Sequence, residues 1–212
     1  MYTPRTFRND DIDTLHAMIR AYNFGLLISQ DGDHPVATHL PFMVDPARGL
    51  NGTLIAHMAR ANPHWKSWTE DTVLMSVFQG PHAYISPAWY VNQETVPTWN
   101  YAAVHTYGQP RMIHDTDQLQ EMVLALVDLQ EGQVGRPWDT SKMESVMGTE
   151  LKAIAGIEIP IDRIEGKYKF NQNRPVEDQA RVAKALEGSD DPMQQAVAEI
   201  MRENVEGKTS GE

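Results

Sequence analysis

The sequence predicts an α+β fold built on an antiparallel, barrel-like sheet. Three observations carry this expectation. Short apolar or alternating runs crowd the middle of the chain, separated by turn signals such as "DGD" (31–33) and "DPARG" (45–49). Amphipathic helical patterns sit at the two ends and in one insertion. Neither GxGxxG nor GxxxxGK[ST] occurs, so a doubly wound nucleotide-binding sheet has no support.

Taken along the chain, Ile12, Leu15, Ile19 and Tyr22 share one face of a helix expected over 11–22. "FGLLIS" (24–29) reads as a buried strand, "DGD" as a hairpin turn, and "PVATHLPFMV" (35–44) as the returning strand. "GTLIAHM" (52–58) and the continuous apolar run "TVLMSVF" (72–78) are the next two, with a short helix expected from Pro63 between them. Residues 82–86 and 100–113 supply further strands. Asp115 and Gln118 have capping-box spacing ahead of a stripe formed by Leu119, Met122, Val123 and Leu126. "AIAGIEIPI" (153–161) alternates and is β-branched, so it closes the sheet. Polar amphipathic helices are expected over 176–187 and 191–204. The organisation expected is one domain over 1–187 with a helical insertion at about 115–150, a last helix within 188–206, and an unstructured tail over 207–212.

Composition narrows the function. The 212 residues are 41% apolar, enough for an ordinary core, and no apolar run approaches a membrane span. With no cysteine, disulfides, thiolate metal sites and thiol catalysis are excluded. The opening "MYTPRTFRNDD" has no apolar signal region, so a cytoplasmic location is expected. A net charge of −11 opposes direct DNA binding, which needs cations to displace phosphate counterions. The densest basic stretch, "GKYKFNQNR" (166–174), has three cations, enough for one phosphorylated small molecule.

Four stretches could carry chemistry. In "LIAHMARANPHW" (54–65), Arg60 and Asn62 precede the helix expected at Pro63, where a cation, an amide and free N–H groups would suit an anion. Residue types alone favour the plainer roles, a cap for Asn62 and a solvated Arg60. Eight histidines form no HxH, HxxxH or HExxH, and no metal site is expected; His39 and His57 read as pocket-lining or core groups. In "VPTWNYAAVH" (96–105), Trp99, Asn100 and Tyr101 combine flat apolar surface with hydrogen-bonding groups, which fits a heteroaromatic ring or, equally, a barrel end or a dimer contact. In "GKYKFNQNR", Lys167 and Lys169 share a strand face, and Gln172, Asn173 and Arg174 follow as a donor cluster or a solvated turn.

"MYTPRTF", "THLPF", "HMARANPHW", "GPHAYISPAWY", "VPTWNYAAVHTYG" and "GKYKFNQNR", in this order, resemble the PaiB family of FMN-binding negative transcriptional regulators over residues 1–187. One departure is Asn171, where the family usually has Ser. The resemblance implies a split β-barrel like that of pyridoxamine phosphate oxidase, with peripheral helices and two C-terminal helices. It implies a homodimer with FMN at the subunit interface; no membrane partner is expected, because no apolar run is long enough to span a bilayer. Arg60 and Asn62 become candidates for the FMN phosphate, Trp99, Asn100 and Tyr101 for the ring wall or dimer seam, and Lys169, Gln172 and Asn173 for donors to ring oxygens. Thr38 and His57 are further pocket candidates. No residue stands out as acid, base or nucleophile. The function implied is an FMN-binding regulator acting indirectly; the alternatives are a flavin-dependent oxidoreductase or flavin reductase, and a haem-binding or haem-degrading split barrel with His57 or His105 on iron.

Overall fold

The computed structural model describes residues 1–134 and 138–209. Parts of the expected insertion (135–137) and of the expected tail (210–212) lie outside them. The strands are β1 (Arg8–Asn9), β2 (Phe24–Asp31), β3 (His34–Pro41), β4 (Met43–Asp45), β5 (Thr53–Ala59), β6 (Leu74–Ile85), β7 (Thr98–Gly108), β8 (Arg111–Ile113), β9 (Ile154–Pro160) and β10 (Arg163–Lys169). The helices are α1 (Ile12–Ala21), α2 (Thr116–Val134), α3 (Glu144–Glu150), α4 (Val176–Glu187) and α5 (Pro192–Thr209). The chain divides into two compact units, and α1, β6, β7 and β10 each run from one into the other.

The unit formed by His16–Phe78 and Thr106–Ile164 contains the hairpin of β2 and β3, in register Leu27 opposite Thr38 and Ser29 opposite Val36. The first half of β6 pairs with β2, Leu27 opposite Ser76. A second antiparallel sheet has the order β4-β5-β9-β8. One expected strand, 35–44, is therefore two strands in two sheets. The change of sheet comes at Phe42, whose N–H donates to the Asn23 carbonyl at 2.9 Å and whose buried ring meets Phe78 edge-on at 5.3 Å. Asp115 caps α2 as its spacing predicts, accepting from the Gln118 N–H at 2.9 Å. The stripe then buries Leu119 and Met122 with Ile113, Met147 and Leu151. Gly108 is fixed by contact: a Cβ there would lie 2.0 Å from the Pro160 carbonyl oxygen.

The other unit comprises Met1–Leu15, Gln79–His105 and Glu165–Glu212. In it β1 pairs antiparallel with β10, Arg8 opposite Lys167. The second half of β6 lies here. The expected strands 72–78 and 82–86 are thus one strand with Gly80 and Pro81 inside it; the missing proline N–H removes one ladder donor without ending it. The helices α4 and α5 pack on each other and bury Val182, Leu186, Val197 and Met201. Helix α5 continues to Thr209, three residues into the stretch expected as tail. No helix among the described residues is long and apolar enough to cross a membrane.

Candidate functional site

Ser29 and Thr38 are diagonal neighbours on one face of the β2–β3 hairpin, a consequence of its register. After β5 the chain makes a tight turn, with the Asn62 N–H donating to the Ala59 carbonyl at 2.9 Å, and enters a four-residue 3-10 turn, His64–Ser67. That turn replaces the helix expected at Pro63. It is too short for a helix dipole, so an anion here would gain no such attraction.

His64 is 2% exposed and sits between the two hydroxyls. Its Nε2 is 2.8 Å from Ser29 Oγ and its Nδ1 is 2.8 Å from Thr38 Oγ1. The Trp68 Nε1–H also donates to Ser29 Oγ at 3.3 Å. Asn62 works at both ends: its Oδ1 accepts from the His64 N–H at 3.0 Å, and its Nδ2 donates to Thr38 Oγ1 at 3.3 Å. Asn62 therefore caps no helix; its side chain ties the turn to the strand hydroxyl. Burial pushes the His64 pKa down, with Asp31 opposing, so its ring is neutral at pH 7.

Arg60 is exposed on the same loop. Its Nε–H donates to the Lys152 carbonyl at 2.9 Å, which anchors the root of the guanidinium; among the described residues its terminal amino groups have no partner. His57, on β5, is half-buried with its pKa lowered by burial, and its Nδ1 is buried without a hydrogen-bond partner among the described residues. Thr38 and Asn62 meet directly, and Arg60 lies on the same loop as Asn62. That chemistry suits a phosphoryl group and the hydroxyls of a sugar-like chain.

The remaining expected residues lie in the other unit. Trp99 is 53% exposed and meets Tyr84 edge-on at 6.1 Å and His82 at a tilt, 6.2 Å away. Lys167 lies over the Tyr101 ring at 5.3 Å. Asn100 is fully buried, its Nδ2 donating to Met201 Sδ at 3.3 Å and its Oδ1 left without a partner among the described residues. Lys169 donates to Thr98 Oγ1 at 2.6 Å and to the Trp99 carbonyl at 2.5 Å. Burial, reinforced by Lys167, lowers its pKa. Gln172 uses both ends of its amide on its own turn, accepting from the Phe170 N–H at 2.7 Å and donating to the Tyr168 carbonyl at 2.6 Å. Asn173 is exposed.

Neither Ser29 nor His64 stands out in the sequence: Ser29 belongs to no motif, and His64 is one of eight histidines without metal-ligand spacing. A serine at an inward position of an apolar strand was the available signal, since a buried hydroxyl requires a partner.

A family model described as "Putative FMN-binding domain" matches residues 1–163. Over 97% of this chain and 98% of the relative's length, the sequence is 32% identical to "Protease synthase and sporulation protein PAI 2" of Bacillus subtilis (strain 168). The chain belongs to the PaiB family of FMN-binding domains. A flavin is the cofactor this family membership supports, and the donor set around Thr38 fits its phosphorylated end. Among solved structures, the flavocytochrome Anf3 from Azotobacter vinelandii superposes with a TM-score of 0.59 at 17% identity, covering 79% of this chain and 72% of that one. The FAD and heme binding protein from Mycobacterium smegmatis gives 0.56 at 14% identity, over 76% and 73%. At such identities the likeness concerns the fold, an α+β split barrel, which the PaiB sequence motifs had implied.

Proposed function

We propose that this PaiB-family chain is a homodimeric FMN-binding protein that influences gene expression indirectly, through its flavin and not through contact with DNA. The observation that carries the reading is the junction of Asn62 and Thr38, which joins the loop after β5 to the β3 strand beside Arg60. In this reading Thr38 and Asn62 hold the phosphate by hydrogen bonds, Arg60 neutralises it, and His57 Nδ1 meets the polar chain between phosphate and ring. The exposed aromatic face of Trp99 and Tyr84 takes the second copy. Bound flavin would supply reversible electron chemistry. The net charge of −11 supports an indirect effect on transcription.

The test is a visible spectrum of the purified protein, followed by titration of apoprotein with FMN. Flavin bands are expected, with Arg60→Ala weakening FMN at least tenfold and Lys66→Ala changing it little. Equal losses for the two variants, or a Soret band in place of flavin bands, would overturn the reading. A mobility shift on DNA that survives physiological salt would overturn its indirect part.

A second reading, an FMN-dependent oxidoreductase, is favoured by Lys169. Burial lowers the pKa of its amine, the kind of perturbation a proton donor beside a redox cofactor requires. Anaerobic bleaching by NADH or NADPH with multiple turnovers selects the enzyme; no bleaching selects the first reading.

A further inference from the structure

Thr38 Oγ1 has one proton and two lone pairs. The Asn62 Nδ2–H occupies one lone pair, and His64 Nδ1 contacts the same oxygen at 2.8 Å. If Nδ1 is bare, Thr38 must donate to it, and the hydroxyl can then only accept from a ligand. If Nδ1 carries the proton, both lone pairs are filled, and the Thr38 O–H can only donate outward. The tautomer of one buried imidazole therefore sets the polarity of this hydroxyl.

The far side of the ring settles which tautomer is held. Ser29 is 4% exposed, and its Oγ has two partners among the described residues, His64 Nε2 and the Trp68 Nε1–H. Trp68 can only donate. If Nε2 also donated, both lone pairs of Ser29 would be filled and its O–H would be buried with no acceptor, a costly arrangement. If Ser29 donates to Nε2, every group is satisfied. The proton then lies on Nδ1.

We propose that His64 is a positioning residue, held by Ser29 and Trp68 as the Nδ1–H tautomer, and that it thereby makes the Thr38 hydroxyl an obligate donor toward a phosphoryl oxygen. The proposal rests on the phosphate-end reading given above. It assigns the site a selection rule: a ligand group that only accepts hydrogen bonds is taken, and one that must donate to Thr38 is rejected.

The direct experiment is nitrogen NMR of histidine-labelled full-length protein at neutral pH, with and without FMN. The expected result is a protonated Nδ1 and an unprotonated, hydrogen-bonded Nε2 for His64 in both states. A protonated Nε2 in either state overturns the proposal. The second experiment compares FMN with riboflavin, which lacks the phosphate. Ser29→Ala and His64→Leu are expected to lower FMN affinity by about tenfold and leave riboflavin affinity unchanged, while His64→Asn, whose Nδ2 replaces the donor to Thr38, restores most of the FMN affinity. Equal losses for both ligands, or no rescue by asparagine in a folded variant, overturn it. If the wild-type protein does not prefer FMN over riboflavin, the phosphate-end reading itself fails; if it does and Nε2 is protonated, only the tautomer assignment fails.

Discussion

Asn171 donates from Nδ2 to the Tyr90 hydroxyl at 3.1 Å, and both side chains are buried. Asn171 also has a φ of 63°, the one positive value among the described non-glycine residues. Asparagine tolerates this left-handed conformation better than other side chains. The position where the chain departs from the family's usual serine is therefore a structural joint. Asn171→Ala should cost about 2–4 kcal/mol, from the left-handed backbone and an unpaired buried hydroxyl together. Asn171→Gly should cost less, since it relieves the backbone part. Urea unfolding curves read the difference; equal losses would show that backbone conformation contributes nothing.

Gly108 allows two segments to approach where no side chain fits. Because the atom facing it is the Pro160 carbonyl oxygen and not a flexible chain end, Gly108→Ala must push backbone aside. A loss of about 3 kcal/mol or more is expected. Thermal unfolding would check it, and a Tm within a degree of wild type would contradict the close packing.

Stability should also depend on pH in a window set by the histidines. Burial is the leading cause that lowers the pKa values of His57, His64 and His105 below the ordinary 6.5. The unfolded chain therefore binds more protons than the folded one as pH falls through 6.5 toward these lowered values. The stabilisation is fully present above 6.5 and is lost below it. Asp11 and Asp33 have lowered pKa values, so their contribution falls only in a separate range below 3.8. The urea midpoint should be lower at pH 5.5 than at pH 7.5, and His64→Gln should flatten part of that slope.

Trp99 stands on an exposed face, so its removal tests association more than folding. Trp99→Ala should change chain stability by less than about 1 kcal/mol while shifting self-association to higher concentration. Sedimentation over a dilution series measures the shift. An unchanged mass distribution would leave Trp99 outside any subunit contact.

Local pattern was readable where local physics decides. Helix α4 runs from Val176 to Glu187, the bounds expected from its periodicity, and Asp115 caps α2 as its spacing required. Tertiary choices were not readable. "LPFMV" (40–44) is apolar throughout, so nothing in it marks Phe42 as the point where the chain changes sheet. The expected strands 72–78 and 82–86 are not joined by any pattern in the sequence, yet one strand runs across Gly80 and Pro81. Of the expected site residues, Thr38 and Asn62 meet directly, but the imidazole that joins them to Ser29 is supplied from 26 and 35 positions away in sequence. No local pattern encodes such a pairing. Asn100 as a candidate for the ring wall or dimer seam, and Gln172 as a donor to ring oxygens, rest on residue type; the fold turns one amide toward Met201 and closes its own turn with the other.

The passage from β3 to β4 through Phe42 has a dynamic consequence. Because one uninterrupted stretch of backbone edges both sheets of its unit, neither sheet can fray there without loosening the other at the shared residue. Amides on the two sides of Phe42 should exchange with solvent deuterium as one cooperative block, so the hydroxyl-bearing end of β3 takes on the persistence of a core it does not itself belong to.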